Sequence, residues 1–144
     1  MGTQMLLVLL TIVLLSTILL NTFNVLLNQA GIVYNGMLYL QGQKIADRFF
    51  LKIEAELIGD PPVTTFSSIQ TTYNNFNTSM SINSVLYSIN INSNYCDSLG
   101  NVSYPDSSYQ RVDIVMSCSS VTMDTLYIGT QSNPFSEVFF DIGN

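Results

Sequence analysis

The first 43 residues carry no charged side chain, and the 144-residue chain has no histidine. The first absence excludes an ordinary soluble helix at the N-terminus, because such a helix keeps a solvated polar face. The second removes the usual general base for a serine or cysteine nucleophile and the commonest side chain for completing a metal site. Basic residues are also scarce: Lys44, Arg48, Lys52 and Arg111 stand against ten acidic ones, for a net charge of −6. Four scattered cations cannot neutralise a phosphate backbone, so no nucleic-acid partner is expected. Charged residues make up 10% of the chain, against roughly 25% in ordinary soluble domains. Ser, Thr and Asn, dense after Val63, supply the polarity instead. That balance suits an exposed coat better than a cytosolic enzyme. No glycine-rich phosphate loop, Walker-type lysine motif or HExxH pattern occurs, so neither enzymatic activity nor a cofactor is expected.

Cysteine is limited to Cys96 and Cys118, which form neither a CxxC redox pair nor a zinc spacing. A reactive thiol or a metal ligand is one reading of the two. The more ordinary one is a single structural disulfide, worth about 3 kcal/mol in the chain-entropy model and implying an oxidising compartment. Asp97, Asn101 and Asp106 in the intervening segment offer oxygen ligands to calcium. Their spacing does not match an EF-hand, and Asx-rich loops are usually turns, so no metal is expected. Asn77-Thr78-Ser79 and Asn101-Val102-Ser103 have the form of glycosylation acceptors, which makes Asn77 and Asn101 candidate modification sites.

Three regions divide what remains: residues 1–29, 30–60 and 61–144. From Met5 to Leu27 the chain reads MLLVLLTIVLLSTILLNTFNVLL. As an α-helix this stretch is roughly 35 Å long, about the thickness of a bilayer's hydrocarbon layer. Its apolar residues go right around the helix, which calls for burial on all sides in lipid or among other helices. Thr11, Ser16 and Thr17 interrupt it cheaply, since their hydroxyls can return to the helix's own carbonyls. Asn21, Asn24 and Asn28 form an i, i+3, i+7 stripe that either bonds neighbouring helices or marks the exit from the membrane. With no basic n-region and no small-x-small cleavage site, the segment is expected to be retained rather than removed as a signal peptide.

Helical periodicity appears in the second region, where Ile45, Phe49, Phe50, Ile53 and Leu57 make a stripe suited to seat a domain core. Lys52 and Glu56, one turn apart, can pair. Gly31, Gly36 and Gly42 each lower helix propensity by about 1 kcal/mol relative to Ala and suggest a softened stretch. Gly59-Asp60-Pro61-Pro62 should stop the helix, with glycine as the C-cap. In the third region Phe66, Ile69, Tyr73 and Phe76 follow helical spacing, and alternation then takes over. Val85, Tyr87, Ile89 and Ile91 predict one strand and Val112, Ile114, Met116 and Cys118 a second. Leu126 with Ile128, then Val138 with Phe140 and Ile142, predict two more. Four strands with one apolar face, laid on the Ile45–Leu57 stripe, make a two-layer α+β domain.

An uncharged apolar N-terminus (GTQMLLVLLTIVLLSTILL), an amphipathic continuation and a β-rich end bearing Cys96 and Cys118 together resemble the type IV pilins and the related pseudopilins. The resemblance implies a long N-terminal helix packed on a small antiparallel sheet, and a structural role in an extracellular helical filament on the cell surface. Copies of the chain would be its partners. Leu6, Leu7, Leu10, Val13, Leu14, Ile18, Leu20, Phe23 and Leu27 would pack the filament's core, and the β domains would tile its outside. The same helix would hold the subunit in the membrane before a pilus-type machinery assembled it. Gln4 is the polar residue nearest the place where the family keeps a glutamate. A single-span anchored surface protein, or a pseudopilin-like part of a secretion complex, is the alternative.

Overall fold

The computed structural model describes residues 2–59, 61–102, 108–120 and 125–141. Helix α1 runs Gly2–Ile58 and α2 Phe66–Tyr73. Five strands follow: β1 Phe76–Ile82, β2 Val85–Cys96, β3 Tyr109–Cys118, β4 Leu126–Ile128 and β5 Phe135–Phe140. The layout is α+β, a long N-terminal helix with a small antiparallel sheet. Two compact units divide the chain, residues 1–37 and residues 38–144. The first is helical over its whole described length.

In the second unit the predicted stripe of α1 is the core's helical layer. Ile45 and Ile53 are fully buried and Phe50 nearly so, while Phe49 and Leu57 are half-buried. Leu38 and Ala46 complete the layer. Buried with them are Tyr87, Ile89 and Ile91 of β2, Val112, Ile114 and Met116 of β3, Ile128 of β4, and Ile69 and Tyr73 of α2. These strand residues alternate along their chains, so a single face of the sheet is buried. Register aligns them in rows: Ile89 faces Met116 across β2–β3 and Ile91 faces Ile114, while Met116 faces Ile128 across β3–β4. Tyr87 brings a hydroxyl into this layer and donates it to Gln41 Oε1 of α1 at 2.8 Å.

α1 is unbroken through Gly31, Gly36 and Gly42. At Gly42 the missing side chain lets helix and sheet approach: a Cβ there would lie 2.7 Å from Ile128 Cγ2. The helix does stop near Gly59, but not through a left-handed glycine, since the left-handed glycines among the described residues are Gly100 and Gly129. Instead Gly59 N–H still bonds Ala55 O, and Val63 and Thr64 N–H both return to Glu56 O at 3.0 and 3.2 Å. Asp60 of the predicted stop signal lies outside the described residues. The side chain of Glu56 holds the same corner. Its carboxylate accepts from Thr64 Oγ1 at 3.0 Å and Tyr73 Oη at 2.8 Å, and it pairs with Lys52 at 3.7 Å. The expected Lys52–Glu56 pair is thus present, as a loose one.

The short helix ends at Tyr73, and Phe76 opens β1, a strand the apolar pattern does not reveal. β1 and β2 form a hairpin through Asn83 and Ser84, both at positive φ, as a two-residue turn matching strand twist requires. Strand β3 is central. β2 runs along one of its sides, and β4 and β5 share the other, as one strand interrupted at residues 129–134. β5 corrects the predicted facing. Phe139 is buried opposite Gln110 and Glu137 lies opposite Val112, so Phe135, Glu137 and Phe139 point inward and Val138 and Phe140 outward. Ile142 lies outside the described residues.

On the outer face Asp113 is nearly buried. Arg111 donates to its Oδ2 through Nε at 3.1 Å and Nη2 at 2.8 Å, and Ser136 Oγ donates to Oδ1 at 2.6 Å. Arg111 also reaches Gly100 O at 2.7 Å, fastening the loop after β2 over this face.

Candidate assembly surface

The N-terminal half of α1 is built from Leu, Ile and Val, broken by hydroxyl residues that satisfy themselves. Thr11 donates to Leu7 O at 2.7 Å, Ser16 to Ile12 O, Thr17 to Leu14 O and Thr22 to Ile18 O, each of these three at 2.8 Å. These bonds remove the polar cost of the interruptions and leave the apolar surface continuous. All nine residues assigned to helix packing, Leu6, Leu7, Leu10, Val13, Leu14, Ile18, Leu20, Phe23 and Leu27, are exposed, from 53% at Leu10 to 66% at Leu6. Gln4 is exposed on the first turn. Asn21, Asn24 and Asn28 are exposed and, by their spacing, share one side. The helix is long and apolar enough to cross a membrane. A surface of this kind, uncharged and apolar around the helix, suits burial in lipid or among other apolar helices.

The two cysteines do not form the expected disulfide. Each is the last residue of its strand, and in an antiparallel pair the two C-terminal ends lie at opposite ends of the ladder. Cys96 faces Tyr109 and Cys118 faces Tyr87. Nine residues of β3 therefore separate their levels, about 30 Å, against the 4.4–6.8 Å a disulfide spans between Cα atoms. Both thiols are buried, and burial pushes both up, away from the reactive thiolate.

Asp97 closes the turn after β2 rather than presenting open oxygens. Its Oδ1 accepts from Leu99 and Asn101 N–H, each at 2.9 Å, and its Oδ2 from Asn101 Nδ2 at 2.9 Å. These bonds, the Asn101 side chain first, hold its carboxyl below the usual range. Asp106, the third oxygen donor of the calcium reading, lies outside the described residues, as does Ser103 of the second sequon. Asn101 and Asn77 are both exposed. Asn77 sits on edge strand β1, where its Oδ1 accepts from Asn90 Nδ2 at 2.8 Å and its own amide donates to Asn75 O.

Charge patterning around the second half of α1 is the feature the sequence pattern did not reveal. Lys44, Arg48 and Lys52, spaced four apart, line one flank of the helix, and Asp47 and Glu54, seven apart, line the other, some 120° away around the axis. Glu137 on β5 joins the acidic flank. Burial, then the Glu54 and Asp47 carboxylates, push its carboxyl above the usual range. A cleft of about 210 Å³ beside it is lined by Glu54, Leu57, Ile58, Glu137, Phe139 and their neighbours. A wider groove of about 480 Å³ lies beside Arg48 and Lys52, floored by Phe49, Tyr73, Phe76 and Met80. No protein-family profile, curated protein or solved structure matches this chain.

Proposed function

We propose that the chain is the structural subunit of an extracellular, pilin-like helical filament, assembled by bundling of its hydrophobic N-terminal helices. The observation that carries this reading is the continuous, uncharged helical surface from Met5 to Leu27, which no other part of the described chain covers. Before assembly the membrane covers that surface, and copies of the same helix do so afterwards. Lipid tails are as apolar as Leu, so the step from bilayer to bundle is driven by close packing. Once outside, the bundle is held from water by about 25 cal/mol per Å² of apolar surface, a term that salt barely screens. A pilus-type assembly machinery belongs to the proposal through the family resemblance.

Electron microscopy of the purified full-length chain tests it. Thin unbranched fibres that persist in high salt are expected. Leu14→Asp should abolish them, because an unpaired carboxylate in a dry bundle costs several kcal/mol. Uniform detergent-sized particles would overturn the reading in favour of a single-span membrane-anchored surface protein or a pseudopilin-like component of a secretion complex.

A further inference from the structure

Residues 38–144 form a domain with two open sheet edges of opposite character. The sheet begins at β1 and ends at the β4/β5 line, so these two edges lie on opposite sides of one layer. Neither has a strand partner beyond it among the described residues. The β1 edge borders the groove rimmed by Arg48 and Lys52 and floored by Phe49, Phe76 and Met80. The β5 edge borders the cleft holding Glu54, Glu137 and the apolar residues Leu57, Ile58 and Phe140. Each combines an apolar floor with charge of one sign, and the signs are opposite.

Neither charge set is balanced where it stands. Among the described residues Lys44 and Arg48 have no acidic partner, and Lys52 has only the loose contact with Glu56. Arg111, the remaining cation, is committed to Asp113 and Gly100. Glu54 and Asp47 add to the effect of burial in holding the Glu137 carboxyl up, and no ion pair among the described residues offsets the three. Two complementary patches on opposite sides of one body define a head-to-tail contact, which propagates from copy to copy rather than closing a two-fold dimer.

Resting on the filament reading, we propose that neighbouring subunits dock the Arg48–Lys52 groove at the β1 edge of one copy onto the Glu54–Glu137 cleft at the β5 edge of the next. The occupant of each groove is a second copy of this chain. The contact sets which neighbour each subunit takes, while the apolar helices hold the polymer together.

Charge reversal in the full-length chain tests the contact. Arg48→Glu places a carboxylate between Lys44 and Lys52 at helical spacing, and Glu137→Lys removes a repulsion from Glu54 and Asp47, so neither substitution should weaken the fold. Thermal melts of each variant at or above the wild-type midpoint verify that. At low ionic strength, each single variant should lower the fraction of chain recovered in sedimentable fibres about tenfold, and Arg48→Glu with Glu137→Lys in one chain should restore it to within about twofold. Singles that assemble like wild type, or a double variant no better than either single, would overturn the contact while leaving the filament standing. A wild-type chain that forms no fibres would overturn the filament reading, and this contact with it.

Discussion

Gly42→Ala isolates the closest approach of helix and sheet. A Cβ at position 42 would lie 2.7 Å from Ile128 Cγ2 and 2.9 Å from Cδ1, about 1 Å inside a normal carbon–carbon contact. Ile128 has little room to yield: it is fully buried, held in register opposite Met116, and branched at Cβ. Helix propensity favours the substitution by about 1 kcal/mol, whereas overpacking a buried contact costs about 1–3 kcal/mol. Strain wins, and a net loss of up to about 2 kcal/mol is expected. With 8 Tyr and no Trp, tyrosine fluorescence during urea unfolding of the full-length chain in detergent is the direct readout. The midpoint should fall by about 0.5–1 M with the slope unchanged. Gly36→Ala is the control: nothing lies within 4 Å of a Cβ there, so it should be neutral or gain up to about 1 kcal/mol. Ile128→Ala should cost less in the Gly42→Ala background than alone, because each change makes room for the other. A Gly42→Ala midpoint at or above wild type would refute the close-packing argument.

Three further outcomes are expected. Tyr73→Phe removes the hydrogen bond to Glu56 Oε2 and should cost about 1–2 kcal/mol. Burial and the Glu56 carboxylate hold the Tyr73 phenol proton well above its ordinary range, so the wild-type advantage in chemical denaturation should be full below about pH 10 and shrink as pH rises past it. Ser84→Gly relieves a left-handed serine at φ 65° in the β1–β2 turn and should raise the melting temperature by about 4 °C, for about 1 kcal/mol. Glu137 binds its proton more tightly folded than unfolded, so it penalises the fold increasingly as pH rises through the glutamate range. The stability of Glu137→Gln over wild type should accordingly be absent at pH 3 and present at pH 7, as differential scanning calorimetry at the two pH values will read.

Much of this fold was legible because burial leaves a period. Ile45 and Ile53 recur at helical spacing and Tyr87, Ile89 and Ile91 at strand spacing, and both sets form the core. The self-bonding of Thr11, Ser16 and Thr17 followed from their surroundings alone. β1 was hidden because Phe76 falls three residues after Tyr73 and extends the helical spacing, while an edge strand with one open side carries few apolar residues. β5 misled in the other direction. Its apolar residues sit on both faces, Val138 against the loop at Gly100 and Phe139 in the core, so composition could not fix the facing. That error concealed Glu137 and with it the acidic flank. The pairing of β2 with β3 itself rules out a Cys96–Cys118 disulfide, since two adjacent antiparallel strands cannot bring their C-terminal ends together. Propensity, a local property, does not reveal the role of Gly42, which is set by Ile128, 86 positions away in the sequence.

The interruption between β4 and β5 has a consequence for engineering. Leu126–Ile128 and Phe135–Phe140 are each pinned to β3 by their own ladder. The residues between them close on themselves, with Thr130 and Asn133 exchanging backbone bonds at 3.1 and 3.0 Å. Foreign peptide spliced at Gln131–Ser132 therefore lengthens a tip whose two stems are independently anchored, and neither stem need slip to accommodate it. This is the position at which the protein can be made to carry a tag or an epitope with its sheet intact.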